Sequence, residues 1–446
     1  MKSFSSLILS VCLIVSILIG ANATPPRDLG REVLEANDGW ASLTTGTTGG
    51  SNASANQVYV VHNRRELVAA LNNGVYPPSN TPSNVPKIIY VDGTIDANVD
   101  DTNQPLQCSD YERNGYTLEA YLAAYDPAVW GIRLPSGPLE AARVASAAAQ
   151  QARVRIRVGS NTTIVGVGKN AVIRGAWFDI RGTAGVVGSR TNIIIRNITF
   201  EDTFDCFPQW DPTDGSLGNW NSAYDSISLR DSDHVWIDHN TFLDKETIDS
   251  SLPIYFGRLF QVHDGEVDIT NASDLVTVSY NRFLDHDKVM LIGSSDSMTT
   301  DRNKLRVTLH HNLFEGVGQR GPRVRFGKVH VYNNYYKPKN FETYQYSLGV
   351  GRESAIYAQN NFFRTDEEIP PARFISRLSG TAIYLEGSQV NAASANHEVD
   401  VLAAYNEANN PDLSSNVGWV PTLFIEIEPA FKVPSAVQSR SGPFNW

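Results

Sequence analysis

Five segments of this chain close in the same way, and they limit its fold more than any other feature. Aligned on their last aromatic, they are Val235-Trp-Ile-Asp-His-Asn240-Thr-Phe242, Val276-Thr-Val-Ser-Tyr-Asn281-Arg-Phe283, Val307-Thr-Leu-His-His-Asn312-Leu-Phe314, Val329-His-Val-Tyr-Asn-Asn334-Tyr-Tyr336 and Ile356-Tyr-Ala-Gln-Asn-Asn361-Phe-Phe363. Each begins with apolar residues at period two and sets Asn two positions before an aromatic. The alternation predicts a short strand with a buried face, and Asn marks the turn that ends it. Ile193 to Phe200 is a looser copy with Asn197 displaced by one position. The aligned asparagines at 240, 281, 312, 334 and 361 lie 41, 31, 22 and 27 residues apart, which fits a unit near 22 residues carrying insertions. Such a unit cannot bury its apolar face alone, whereas units stacked in register can. The expectation is an all-β parallel β-solenoid, with Asn over Asn and aromatic over aromatic, the amides bonding from coil to coil. A β-sandwich also supplies alternating strands, but gives no reason for a recurring Asn-x-aromatic.

A solenoid needs its ends covered. Asn63-Arg-Arg-Glu66 has the form of a capping box opening a short helix that Gly74 ends. Ser136 to about Gln151, rich in Ala and Glu, reads as a second helix outside the stack. The less periodic tail after Phe363 is expected to pack across the far coils. Residues 1–23 read as an export signal: Lys2, an apolar run from Leu7 to Ile19, and Ala21-Asn22-Ala23 before Thr24. The expectations are therefore a secreted protein with no membrane span once that signal is removed, and a single domain over residues 24–446. Cys108 and Cys206 are the two cysteines outside the signal; whether they pair is left open.

The net charge is -11, and losing the signal removes only Lys2, giving -12. Acidity on this scale argues against nucleic acid as a partner. The insertions concentrate between the Asn240 and Asn312 copies, where long loops on a rigid stack favour a site. They hold Asp264 and Asp268 in His263-Asp-Gly-Glu-Val-Asp268, and Lys288 in His286-Asp-Lys288. Asp225 precedes the Trp236 strand, and Gln319-Arg-Gly-Pro-Arg-Val-Arg-Phe-Gly327 carries Arg320 and Arg325. Carboxylates from separate loops can converge on a hard cation such as calcium, and guanidinium groups suit sugar carboxylates. Spacing alone favours solvated turn acids, ladder-edge arginines in ion pairs and a solvated lysine.

Those blocks, with Phe207-Pro-Gln-Trp-Asp-Pro-Thr-Asp-Gly215, Val235-Trp-Ile-Asp-His239 and Gly293-Ser-Ser-Asp296, resemble the signatures of family 1 polysaccharide lyases, the pectate lyases, over almost the whole chain after the signal. The resemblance implies a right-handed single-stranded parallel β-helix with long loops forming a cleft and short capping helices. It implies calcium-assisted β-elimination on polygalacturonate by a monomer. Asp225, Asp264 and Asp268 then match the calcium ligands, Arg320 the catalytic base, and Lys288 and Arg325 substrate-binding cations. Trp236, Asp238 and His239 fall in a signature with a structural role, expected to be buried near the cleft. An arginine base needs help to lose its proton, which calcium, Lys288 and Arg325 would supply, and an alkaline optimum follows. Competing readings are a β-helical hydrolase, whose Gly-His-Gly motif is missing, a pectin lyase acting on esterified chains, and a non-catalytic polysaccharide-binding β-helix.

Overall fold

The computed structural model describes residues 28–79, 81–339, 343–365, 369–391 and 398–446; the expected export signal lies outside them. No helix of the described residues is long and apolar enough to cross a membrane.

The repeat folds as the alternation requires. Every copy contributes one strand to a ten-stranded sheet, one to a nine-stranded sheet and one to an eight-stranded sheet, all paired in parallel. One full coil runs Val307–His310, Leu313–Glu315 and Arg323–Val324 before re-entering the ten-stranded sheet at Lys328–Tyr332. The architecture is a right-handed parallel β-helix. Val235, Val276, Val307, Val329 and Ile356 stack in direct register, all without solvent exposure.

The turn between the ten- and nine-stranded sheets carries the asparagine ladder. The amide N–H groups of Asn240, Asn281, Asn312 and Asn334 each donate to the side-chain oxygen of the next ladder Asn, at 2.9–3.0 Å. Each side-chain NH2 then donates to a strand carbonyl, as Asn312 does to Val278 at 2.9 Å. In the displaced copy, Ile198 N–H caps the ladder by donating to Asn240. Asn197 instead takes the left-handed position (φ 59°) that His239, Tyr280 and His311 occupy in later coils. The last aromatics form a second column, with Phe200, Phe242, Phe283, Phe314, Tyr336 and Phe363 stacked at 4.8–5.1 Å between ring centroids. Asn312→Ala leaves buried partners unbonded on both sides of the ladder, so unfolding in urea should show a loss of about 3 kcal/mol. A change below about 0.5 kcal/mol would remove the ladder from the account of stability.

The Asn63 side chain accepts from Glu66 N–H, and the helix Arg64–Leu71 sets Leu67 and Leu71 over Val61 and Ile89 at the open end. The second helix spans Pro138–Val154 and feeds directly into the edge strand Arg155–Arg157 of the eight-stranded sheet. Cys108 and Cys206 form a disulfide, Cα to Cα 5.4 Å, binding the short helix Cys108–Tyr111 to the loop after Glu201. Beside it a satellite core gathers Tyr121, Phe207, Trp210, Trp220 and Phe260.

The tail differs from expectation. It does not stay on the far coils but returns along the stack. Asn333 and Asn360 donate to the Glu428 carbonyl, Arg282 to the Gln438 carbonyl, Asn197 to the Phe444 carbonyl, and Trp446 to the Gly166 carbonyl. Asn197, Arg282, Asn333 and Asn360 lie at the ladder turns of their coils, so the tail satisfies polar groups that the stack leaves outward there.

Candidate active site

The long connections lie mainly between the nine- and eight-stranded sheets, and they place the site on the outer face of the latter. Asp225 precedes the strand Ile227–Arg230, Asp268 sits within Val267–Thr270, and Asp264 lies in the loop between Leu243 and Val267. Ser228 and Asp268 are direct partners across adjacent strands. The three carboxylates therefore reach one pocket from two neighbouring coils.

Asp225 and Asp268 are 4% and 7% exposed, and neither makes a salt bridge among the described residues, where Lys288 and Arg320 turn to Asp264 instead. Asp225 accepts from Gly265 N–H at 3.0 Å and from the Ser228 hydroxyl, which itself accepts from Trp177 Nε1 at 2.7 Å. Asp268 accepts from Leu291 N–H at 2.9 Å. Gly265 is needed here: a Cβ would stand 2.6 Å from one Asp268 oxygen and 2.9 Å from one Asp225 oxygen. The two carboxylates thus face a common point that a side chain would fill.

Burial, then the Asp264 charge, pushes the Asp225 carboxyl up to about 6. Burial, then Asp225 and Asp264, holds Asp268 well above the usual range. Such frustration among buried like charges is what a divalent cation relieves, and an all-oxygen set suits a hard one. Two consequences follow for pH. A carboxyl with a raised folded pKa stabilises the protonated fold, so the metal-free protein should gain stability as pH falls from above 6 toward 4. Cation binding needs the same groups ionised, so affinity should fall over the same window. Calorimetric calcium titrations at pH 8 and pH 5 check this, and equal affinities would contradict it.

Arg320 and Lys288 meet over Asp264. Lys288 Nζ stands 3.3 Å and Arg320 Nη1 3.8 Å from the same Asp264 oxygen. Arg320 occupies a left-handed backbone position (φ 60°) just before the cis Gly321–Pro322 peptide. Its Nε is buried with no hydrogen-bond partner among the described residues. Burial alone would lower its pKa, but Asp264 and Asp268 outweigh that and raise it. The expected cationic environment is therefore incomplete without a metal: the nearest charges are acids, and they hold Arg320 protonated. Arg325 follows the strand Arg323–Val324 of the same coil, its Nε 2.7 Å from Asp296 and its Nη1 donating to the Gly293 carbonyl at 2.8 Å. The structure thus brings Asp225, Asp264, Asp268, Lys288 and Arg320 together, with Arg325 at the edge.

Behind Asp264 lies a buried network of Asp244, Asp249, His263, Glu266 and His286 that spacing in the sequence did not reveal. His286 Nδ1 is 2.7 Å from Asp244, and its Nε2 is 2.9 Å from the Asp264 carbonyl. Burial opposes its charge, but Asp244 and Glu266 push its pKa well above the ordinary value. A protonated His286 donates on both sides and so fixes the loop carrying Asp264. The groups of this network are close enough to share a cation, yet their contacts near 2.7 Å are those of hydrogen-bonded ion pairs.

The Trp236-Ile-Asp-His239 segment is not near the cleft. It lies on the ten-stranded sheet, whereas the site lies on the eight-stranded one. Arg196 pairs with Asp238 at 2.7 Å and stands over the Trp236 ring, and His239 stacks on Tyr280. Its role is structural, but on another face of the coil.

The site is thus an acidic pocket edged by cations, set on one face of a parallel β-helix. The pectate lyase family model matches residues 136–410. A pectate lyase of Bacillus subtilis (strain 168) is 48% identical over 432 residues, 95% of each chain, and pectate lyase E of Dickeya dadantii (strain 3937) is 33% identical over 89% of this chain and 84% of its own. Among solved structures, a thermostable pectate lyase superposes with TM-score 0.87 at 49% identity over 94% of this chain and 100% of its own. A pectate lyase bound to a hexasaccharide does so with TM-score 0.85 at 47% identity over 93% and 99%. The chain belongs to the pectate lyase family and is an enzyme of the lyase class.

Proposed function

We propose that this protein is an extracellular, calcium-dependent lyase that cleaves polygalacturonate by β-elimination. The observation that carries this reading is the set of two buried carboxylates, Asp225 and Asp268, unpaired among the described residues and facing one point beside Asp264, Lys288 and Arg320. Asp225, Asp264 and Asp268 would hold calcium, which supplies positive charge against the uronate carboxylate and the anion that forms at C5. Lys288 and Arg325 bind carboxylates along the chain. Arg320 takes the C5 proton; the electron pair left behind forms the C4–C5 double bond and expels the glycosidic oxygen at C4, which is protonated by water, and Arg320 returns its proton to solvent. Once Asp264 and Asp268 are committed to a cation they no longer hold the Arg320 proton, and burial then favours the neutral form. Rates should rise toward alkaline pH.

The products distinguish this from hydrolysis. Elimination adds no water, so mass spectrometry should find each new oligogalacturonate pair with one unsaturated member, lighter by one water than its saturated counterpart. Saturated products alone would overturn the reading. Activity confined to fully esterified pectin would favour a pectin lyase instead.

A further inference from the structure

The outer face of the eight-stranded sheet continues past the acidic pocket toward the first coils, and there its charge changes sign. Its first three strands are Arg155–Arg157, Trp177–Arg181 and Ile227–Arg230. Ile156, Phe178, Ile180, Ile227 and Leu229 are buried in the core, so alternation puts Arg155, Arg157, Arg181 and Arg230 outside. The one acid in these strands is Asp179. Register sets Arg181 directly beside Arg230, an adjacency of like charges that destabilises a sheet. Arg155 and Arg230 stand 5.7 and 5.9 Å from the centroid of the same Trp177 ring, which fixes both guanidinium groups on one platform. Burial, then Arg157, lowers the Arg155 pKa. In a protein of net charge -11, four arginines gathered around the buried Asp179, with Arg181 exposed and the other three half-buried, run against the overall charge.

The strip is continuous with the site. Arg157 pairs with Asp179, Asp179 with Ser228, and Ser228 with Asp268. Three strand spacings put Arg157 about 14 Å from Asp268 along the sheet. At its edge the strip opens on a cavity of about 230 Å³ lined by Arg64, Arg155 and Arg157.

We infer that Arg155, Arg157 and Arg181 form a carboxylate-binding subsite for a long uronate chain beyond the acidic pocket, with Arg230 standing between them and that pocket. This rests on the acidic-polysaccharide reading above. Guanidinium forks recognise carboxylates in a defined geometry, and the strip holds them in line with the calcium ligands. A short oligomer bound at the acidic pocket does not reach it, so the strip favours long substrates.

The test compares trigalacturonate with polygalacturonate. The double variant Arg155→Gln/Arg181→Gln should raise KM for the polymer about tenfold at unchanged kcat, and leave both constants for the trimer unchanged. Arg155→Gln alone, which keeps the Arg181–Asp179 ion pair, should give a smaller shift of the same kind. Arg155→Lys/Arg181→Lys should recover most of the loss. In chelator, retardation in gels containing polygalacturonate should weaken in the glutamine variants but not in the lysine variant. Equal shifts for trimer and polymer, or no shift for either, would overturn the subsite. So would a strip that inorganic phosphate protects from arginine modification while polymer binding by the glutamine variants stays normal. Wild-type protein inactive on both substrates would instead overturn the activity reading, and gel retardation would still test the strip.

Discussion

Arg320→Lys should lower kcat on polygalacturonate by about 1,000-fold while leaving the fold and calcium affinity intact. Lysine keeps the positive charge, so the electrostatics around Asp264 change little. What is lost is reach and geometry. The Arg320 guanidinium extends over Asp264 with Nη1 at 3.8 Å, while its Nε lies buried with no hydrogen-bond partner among the described residues. An ammonium on a shorter stem cannot present two coplanar nitrogens, one to an acid and one to a substrate carbon. Steady-state kinetics with a thermal melt as control checks this. A fall of less than about tenfold would take Arg320 out of proton transfer.

Asp268→Asn should abolish activity and yet stabilise the calcium-free protein. Burial together with Asp225 and Asp264 makes the ionised Asp268 unfavourable in the fold. Asparagine removes that repulsion, and its oxygen can still accept from Leu291 N–H. At pH 8 in chelator, the variant should therefore melt about 2 °C or more above the wild type. With calcium added the order should reverse, because only the wild type gains from tight binding. Activity should fall by at least about 100-fold. A variant that melts lower than wild type in chelator would contradict the electrostatic account of the pocket. Function and stability are opposed at this residue, as expected where like charges are crowded into one buried site.

The architecture was legible because a solenoid writes its own contacts into its sequence. Asn240, Asn281, Asn312, Asn334 and Asn361 recur at the spacing of the coils, and each bonds the next. The same regularity identifies the aromatic column. The capping helix at Asn63 could be read because capping is local chemistry. The tail could not, because its partners, from Asn360 back to Gly166, are distant in sequence and share no pattern with it.

The site is less legible for a related reason. Asp225, Asp264 and Asp268 come from different loops, and nothing in their spacing says that Ser228 pairs with Asp268 across the sheet. Resemblance to a family supplied the grouping, and the register supplied the proximity. His239 shows the reverse case: a conspicuous motif invites a place near the cleft, but strand assignment puts it on another sheet. The buried network around His286 escaped notice because each member is unremarkable alone. The arginine strip escaped because Arg155, Arg181 and Arg230 are separated by insertions and meet only through pairing of the coils.

Calcium-dependent β-elimination is tested most directly by the ultraviolet absorbance of the conjugated double bond that it creates. Wild-type protein incubated with polygalacturonate at alkaline pH should produce a steady rise in calcium, no rise in excess chelator, and full recovery when calcium is restored. The appearance of new reducing ends without that absorbance, or an undiminished rise in chelator, would contradict calcium-dependent β-elimination at this site.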